Sequence, residues 1–347
     1  MTEKIIGNSL SFKTFGFLKV NETTIEVPSD LGKSFNIKSH EKLEIEEFSN
    51  LNYGVSNDSI KMNESFGNLN RNYIAKTGEI LNEELNLCVN DENNRLLDTH
   101  TIIAEEASTI NLLLDYSSND AGEKFRNSII KILAKKNSIV NLFVIQTGDN
   151  NTTSLETIFA KVYDNAKVKV CQFELGSKEL YTNLKADLIG EESELDVDSI
   201  YFGFDDNRLN MLYELVHHGE ASNCDVLVNG ALKGNSFKTF KSTLDFKEGS
   251  GFSKGSEEEY AILLDDTVRS LSVPVLLAHE DNVEGNHAAS AGQIDKELLF
   301  YIMSRGFSLS EAENLIIQSR FSNAIDELPR EELKTKIWDK INEIVRG

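Results

Sequence analysis

The chain reads as mainly β, with a β-solenoid core, a helical C-terminal region and a small N-terminal lobe. Three observations carry that reading. A short motif recurs about every 28 residues through the middle of the chain, and it alternates apolar and polar residues with period 2. Beyond residue 293 the apolar spacing changes to that of helices.

The motif appears at Ala107–Leu112, Asn137–Leu142, Asn165–Val170, Glu192–Val197 and Ala221–Val226. Each copy has a small residue in second place and apolar residues in fourth and sixth. The small residues are Ser108, Ser138, Ala166, Ser193 and Ser222, at intervals of 30, 28, 27 and 29. A looser sixth copy is expected at Gly249-Ser250. A second apolar strand precedes each copy, beginning with Thr101–Ala104 and Ile129–Leu133 and ending with Phe240–Phe246. Between the paired strands lie corner residues such as Asp164-Asn165 and Gly219-Glu220. Asn, Asp and Gly suit corners because they tolerate positive φ or bond their own backbone. A β-sandwich of hairpins competes with this reading, but one motif at regular spacing favours stacked coils.

Each end of a solenoid leaves unpaired backbone and calls for a cap. Residues 1–95, where short apolar pieces mix with Asn- and Glu-rich loops, are expected to form an N-terminal lobe or cap. The core is expected over 96–292 and a helical domain over 293–347. Within the latter, Ile294, Leu298, Leu299 and Ile302 space as a helix that Gly306 stops. Ser308 and Glu311 form a capping box for a second helix, and Pro329 suits the first position of a third. Leu333, Ile337, Ile341 and Val345 make one apolar stripe that needs a partner surface, either the solenoid end or another protein.

The 347 residues carry 35 basic and 57 acidic side chains, a net charge of −22. That field repels phosphate backbones, and no basic patch offsets it, so nucleic acid is not an expected partner. No apolar run approaches the ~20 residues that span a bilayer. The start MTEKIIGNSLSF lacks a basic n-region and an apolar h-region, so a cytoplasmic protein without a membrane partner is expected. Cys88, Cys171 and Cys224 are scattered and read as small buried hydrophobes rather than a disulfide framework.

Most enzyme signatures are missing. Gly32-Lys33-Ser34 ends like a phosphate loop, but Val27 stands where the first glycine belongs. Gly251-Phe-Ser-Lys-Gly255 spells a nucleophile elbow without the strand and helix that one needs. His217 and His218 are adjacent, so on a strand they point to opposite faces and cannot share a metal. The segment Ala278–Gly292 stands apart. His279, Glu280, Glu284 and His287 lie among small residues where the solenoid gives way to helices. From chemistry alone this is either a tight structural corner or a site where neutral imidazole and carboxylate hold a metal, with His287 the ligand to test first. It has no thiolate, so an all-Cys cluster cannot be built there.

The stretch Asp281–Phe307, with its His-and-small-residue turn followed by Leu298–Tyr301 and Arg305-Gly306, resembles the SufB/SufD family of iron–sulfur cluster assembly proteins of the SUF system. Thr99–Ile110 resembles the family's first coil, and Thr14–Val20 its N-terminal opening. The resemblance spans about residues 95–325. It implies a right-handed parallel β-helix with helical termini and no catalytic residues of its own. It also implies a non-catalytic scaffold that docks a SufC-like ABC ATPase through the helices after Gly292. The scaffold would pair with a SufB-like subunit, or with itself, through the solenoid edge. The iron–sulfur cluster would be held transiently at that interface, with no cofactor bound tightly by this chain alone. His287 falls on a histidine that SufD-type members place at the interface. A SufB-type scaffold cysteine would fall about 30 residues upstream, where this chain has Glu257-Glu258-Glu259, so the chain reads as SufD-like. Two alternatives stay open. One is a SufB-like homodimer working with SufC alone. The other, of a different class, is a carbohydrate-active β-helix protein, against which the low aromatic content of 8% weighs.

Overall fold

The structure is a computed structural model that describes residues 2–13, 16–31, 35–49 and 52–346. Gly32-Lys33-Ser34 and the start of the Thr14–Val20 opening lie outside the described residues. Strands β1 (Thr2–Gly7) and β2 (Thr23–Pro28) pair antiparallel, and helix α1 (Asn57–Phe66) follows. Eight coils come next, each of two strands. They are β3 (Leu69–Ala75) with β4 (Ile80–Val89), β5 (Arg95–Ala104) with β6 (Thr109–Ser118), β7 (Lys124–Ala134) with β8 (Ile139–Thr147), and β9 (Thr152–Val162) with β10 (Lys167–Glu174). The remaining four are β11 (Glu179–Leu188) with β12 (Glu194–Gly203), β13 (Arg208–His217) with β14 (Asn223–Leu232), β15 (Phe237–Phe246) with β16 (Lys254–Leu263), and β17 (Arg269–Ala278) with β18 (Glu284–Gln293). Helices α2 (Lys296–Ser304), α3 (Leu309–Asp326) and α4 (Glu331–Arg346) complete the chain.

Odd-numbered strands from β3 to β17 form one eight-stranded parallel sheet and even-numbered strands from β4 to β18 the other. Every coil-to-coil ladder is parallel, which excludes a sandwich of hairpins. The first coil begins at Leu69, well ahead of residue 96. Thr99–Ile110, expected in the first coil, lies in the second.

The repeat motif is the corner into the even-numbered sheet. Ala107, Asn137, Asn165, Glu192, Ala221 and Phe252 all take φ between 53° and 63°, turning the chain inward. The next residue is then wholly enclosed, which is why it must be small: Ser108, Ser138, Ala166, Ser193, Ser222 and Ser253 are all buried. Several of these serines donate to the carbonyl three residues back, as Ser193 Oγ does to Gly190 O (2.8 Å) and Ser222 Oγ to Gly219 O (3.0 Å). The sixth copy is therefore Phe252-Ser253, not Gly249-Ser250. An extra turn at Lys247–Ser250, closed by Ser250 N to Lys247 O, shifts it by three residues. This placement also disposes of the nucleophile elbow. Ser253 is buried and bonded to Ser222 Oγ (2.8 Å) and Gly219 O (3.1 Å).

Both outer faces are covered over the middle coils. The N-terminal lobe packs Ile5, Ile25, Val27 and Val55 against Leu97, Phe125, Leu155 and Tyr181 of the odd sheet. Asn8, at φ 44°, is fully buried there and donates to Asn210 O (2.8 Å). Helices α3 and α4 lie on the even sheet, packing Ile317, Phe321, Ile337 and Ile341 against Leu113, Ile145, Phe173 and Ile200. Burial on both sides explains runs such as Leu112-Leu113-Leu114, where alternation disappears. The apolar stripe of α4 is thus consumed by the chain's own sheet face rather than by a solenoid end or another protein. Its register is fixed by Lys336 Nζ on the Asp115 carboxylate (2.6 Å) and Lys233 Nζ on the Val345 carbonyl (2.6 Å). Pro329 precedes α4 by two residues instead of occupying its first turn. The Ser308–Glu311 capping box forms as the sequence implies.

Candidate functional site

The solenoid's two ends differ. At the start, residues 35–41 run beside β3: His40 N donates to Asn70 O (2.7 Å), Asn70 N to Ser39 Oγ (2.8 Å) and Asn72 N to His40 Nδ1 (3.0 Å). Phe35 and Ile37 pack on the core beneath. At the far end both sheets stop, at β17 and β18. No residue of β18 is buried, and Leu271 and Leu276 of β17 are part-exposed. Two adjacent terminal strands present unpaired amides and carbonyls, the arrangement that accepts another strand.

His287 sits in the middle of β18. The ladder places it in the column Leu112, Leu142, Val170, Val197, Val226, Glu257, His287. The first five members are buried core residues, so this column faces the solenoid interior. This column therefore turns from aliphatic to polar in its last two coils. Among the described residues the His287 ring has no hydrogen-bond partner, and it is exposed. Glu257, directly beneath it, is buried, and one carboxylate oxygen accepts from Ser242 Oγ (2.6 Å). Burial, and Glu259 to a lesser degree, push its pKa up to about 7. Glu259 is fully buried beside it, bonded by Lys238 Nζ and by Tyr201 Oη (2.9 Å). Burial outweighs that attraction and lowers the Lys238 pKa. The inward residues Ala289 and Ala291 are small and exposed, whereas Gly285 is small because its space is taken. A Cβ on Gly285 would lie 2.8 Å from a Leu276 methyl and 3.0 Å from the Phe246 ring.

The other sequence candidates lie elsewhere. Glu284 is exposed on the opposite face of β18 and pairs with Lys254 (3.1 Å). Glu280 accepts from Gly249 N (3.2 Å), ordering the last corner. His279 lies 3.7 Å from Asp245 at that same corner. No cluster of three or more His, Cys, Asp or Glu with metal-binding geometry exists among the described residues. His217 and His218 diverge as expected. The first is buried against Ser222 (2.7 Å) and stacked on Phe246, and the second reaches Asp187 at 4.0 Å. Cys171 and Cys224 are buried, and burial raises both thiols far above the reactive range; Cys88 is exposed.

The sequence reading missed a second polar system deeper inside. Asp98, Ser128, Glu156 and Thr182 form one inward column of the odd sheet. His100 Nε2 (2.6 Å) and Tyr116 Oη (2.7 Å) donate to Asp98, and Arg126 pairs with Glu156 (2.8 Å). Gln172 Nε2 bonds Glu156 (2.6 Å), and Tyr213 Oη donates to Gln172 (2.6 Å). Burial raises the Asp98 carboxyl, but donation from His100 and Ser128 and the Arg126 charge win and hold it below its usual range. The available signal was the repeat interval, which stacks these residues in register.

Comparison with known proteins assigns the family. The family described as "SUF system FeS cluster assembly, SufBD core domain" matches residues 87–320, well over half of the chain. The chain belongs to the SufBD family. Its relatives are distant. The iron–sulfur cluster assembly protein SufD of Bacillus subtilis is 24% identical over 277 residues, covering 79% of this chain and 63% of that protein. A SufBD family protein of Mycobacterium leprae is 23% identical, covering 70% of this chain and 28% of its own length. One of Staphylococcus saprophyticus is 24% identical, covering 70% and 52%. The chain thus spans less than two thirds of each of these relatives. The matched residues run from the end of β4 through β18 and into α3. No helix among the described residues is long and apolar enough to cross a membrane.

Proposed function

We propose that the chain is a non-catalytic, SufD-like scaffold subunit for iron–sulfur cluster assembly that works through the open end of its solenoid. The observation that carries this is the contrast between a first coil whose β3 edge is met by residues 39–41 and a last coil with neither edge covered among the described residues, whose interior carries His287 over buried Glu257. A SufB-like chain, or a second copy, adds its own strands to β17 and β18. The cluster is held transiently between the two subunits, near His287. The second contact falls on α2, which buries none of its residues yet displays Leu298, Phe300, Tyr301 and Met303, with Phe307 beyond it. Phe300 is 75% exposed. Such a patch marks an interaction surface, and a SufC-like ABC ATPase is its proposed occupant. The acidic surface suits partners with basic docking faces, and cytoplasmic action follows the same reading.

The test is co-purification with the host's SufC-like ATPase, with and without a SufB-like chain. Phe300→Asp is expected to release the ATPase and keep the solenoid partner. His287→Ala is expected to keep both and to slow cluster assembly. Wild-type assembly rates in His287→Ala would leave that residue structural. Retention of the ATPase by Phe300→Asp would move its docking away from α2.

A further inference from the structure

The last coil has a neighbouring coil on one side only, so it loses half of the stacking that holds a middle coil, and end repeats fray first. Its outer face is tied down at one point. In β17 and β18 Val273 alone is buried, and the residues that bury it come from the far end of the sequence. Leu10 and Val20 of the N-terminal lobe pack with Val273 and Leu212 in one small apolar cluster, separate from the solenoid core.

The ladder explains how the lobe reaches so far. Thr157, Asn183, Leu212, Lys241 and Val273 stand in one outward column, one residue from each of the fourth to eighth coils. At about 4.8 Å per coil that column is about 19 Å long. The lobe is fastened to every member of it. Val55 N donates to Thr157 Oγ1 (3.2 Å) and Gly54 N to Asn183 Oδ1 (3.0 Å). Lys241, wholly buried between Leu212 and Val273, donates through Nζ to Asn8 O. Leu10 N donates to Asn21 O (2.8 Å), which closes the neck of the loop and sets Leu10 and Val20 side by side over the column's end. Beyond the neck the loop faces solvent, with Phe17 84% exposed.

We propose that the N-terminal loop, through Leu10 and Val20, is a strap that holds the last coil in register and so positions the docking edge. The lobe thereby controls the far end of the solenoid: displacing the loop loosens β17 and leaves the middle coils as they are. The consequence for docking rests on the open end being the assembly face; the strap itself does not.

Hydrogen exchange of the full free chain is the test. Leu10→Ala and Val20→Ala are each expected to speed exchange of the β17 amides at least about tenfold. Amides of β9 and β11 should exchange as in wild type, because Gly54 and Val55 still hold that part of the lobe. Phe17→Ser, at the exposed tip, should change nothing. A variant that frees the whole lobe will show it at β1, and β17 must then exchange faster still. Exchange of β17 at the wild-type rate, with the loop altered or with the lobe free, would overturn the strap. Capture of a SufB-like chain by Leu10→Ala separates the two readings. It should fall several-fold while the SufC-like ATPase is retained. Faster β17 exchange with undiminished capture would keep the strap and remove β17 from the docking edge.

Discussion

The two ends of the solenoid are built from the same coil and finished in opposite ways. The first coil is roofed by Phe35 and Ile37, and its edge amides are matched by residues 39–41. Behind it, the buried carboxylates Asp98 and Glu156 are held by His100, Tyr116 and Arg126. Among the described residues the last coil has no roof, Ala289 and Ala291 on its inward face, and a buried carboxylate of which one oxygen accepts from Ser242. A solenoid that needed only stability would close both ends alike. On the proposed function, the cost of an open, polar end is borne for a partner. Burial alone does not distinguish the two carboxylates: Glu156 has both oxygens bonded, by Gln172 and Arg126, whereas Ser242 takes one oxygen of Glu257.

That comparison can be broken by mutation. Arg126→Met should cost about 3–5 kcal/mol in urea unfolding, because it removes the charge partner of buried Glu156. Glu257→Gln should cost under about 1 kcal/mol, since the Ser242 hydrogen bond survives. Equal losses would mean that the two carboxylates play the same structural part.

A second effect is pH-linked. His217 is kept neutral by burial and by the neighbouring His218, its pKa pushed down to about 4. Unfolded histidine takes its proton near 6.5. Between those values the unfolded state binds more protons, so stability should fall as pH drops from about 6.5 toward 4, by up to about 3 kcal/mol, and be flat above. Thermal melts across that range, with His217→Gln as the variant that removes the slope, check the sign. A slope unchanged in that variant would assign the acid limb to other groups.

Smaller still is the expected effect of a charge on the open edge. Ala288→Lys should change monomer stability by no more than about 0.5 kcal/mol while abolishing association measured by sedimentation, because a lysine blunts an edge strand. Loss of monomer stability instead would mean that β18 is held by contacts within the chain. A further small effect should be shared by corners in the second and seventh coils. Ala107→Gly and Phe252→Gly each relieve a left-handed residue and should raise stability by up to about 1 kcal/mol. Unequal gains would show that the corners are not equivalent.

The sequence disclosed the parts of the molecule that repeat. Ser108, Ser138 and their counterparts are legible because an enclosed corner tolerates only small side chains, and the C-terminal helices because α3 carries its own cap. The first coil was hidden. Glu83 and Glu84 in β4 are exposed edge residues, and they erase the alternation that marks later strands. The copy at Ser253 was misread because a three-residue turn supplies a decoy at Ser250. The stripe on α4 announced a partner surface without saying that the chain itself provides it. At the site, His287 stood out through its small neighbours, while Glu257 was noted only within Glu257-Glu258-Glu259, where a scaffold cysteine is missing. Only the ladder, which sets Glu257 under His287 and turns Glu258 outward, separates them. The polar interior escaped for the same reason, since a single Arg126 or Glu156 in a strand reads as an outward residue until its column is known.

The central claim is that the last coil is an interface and the first is not. Hydrogen exchange of the free chain and of its complex with a SufB-like partner tests it directly. The account predicts that amides of β18 exchange fast in the free chain and become protected in the complex, while those of β3 are protected in both. Exchange at β18 that is unchanged by the partner would contradict it.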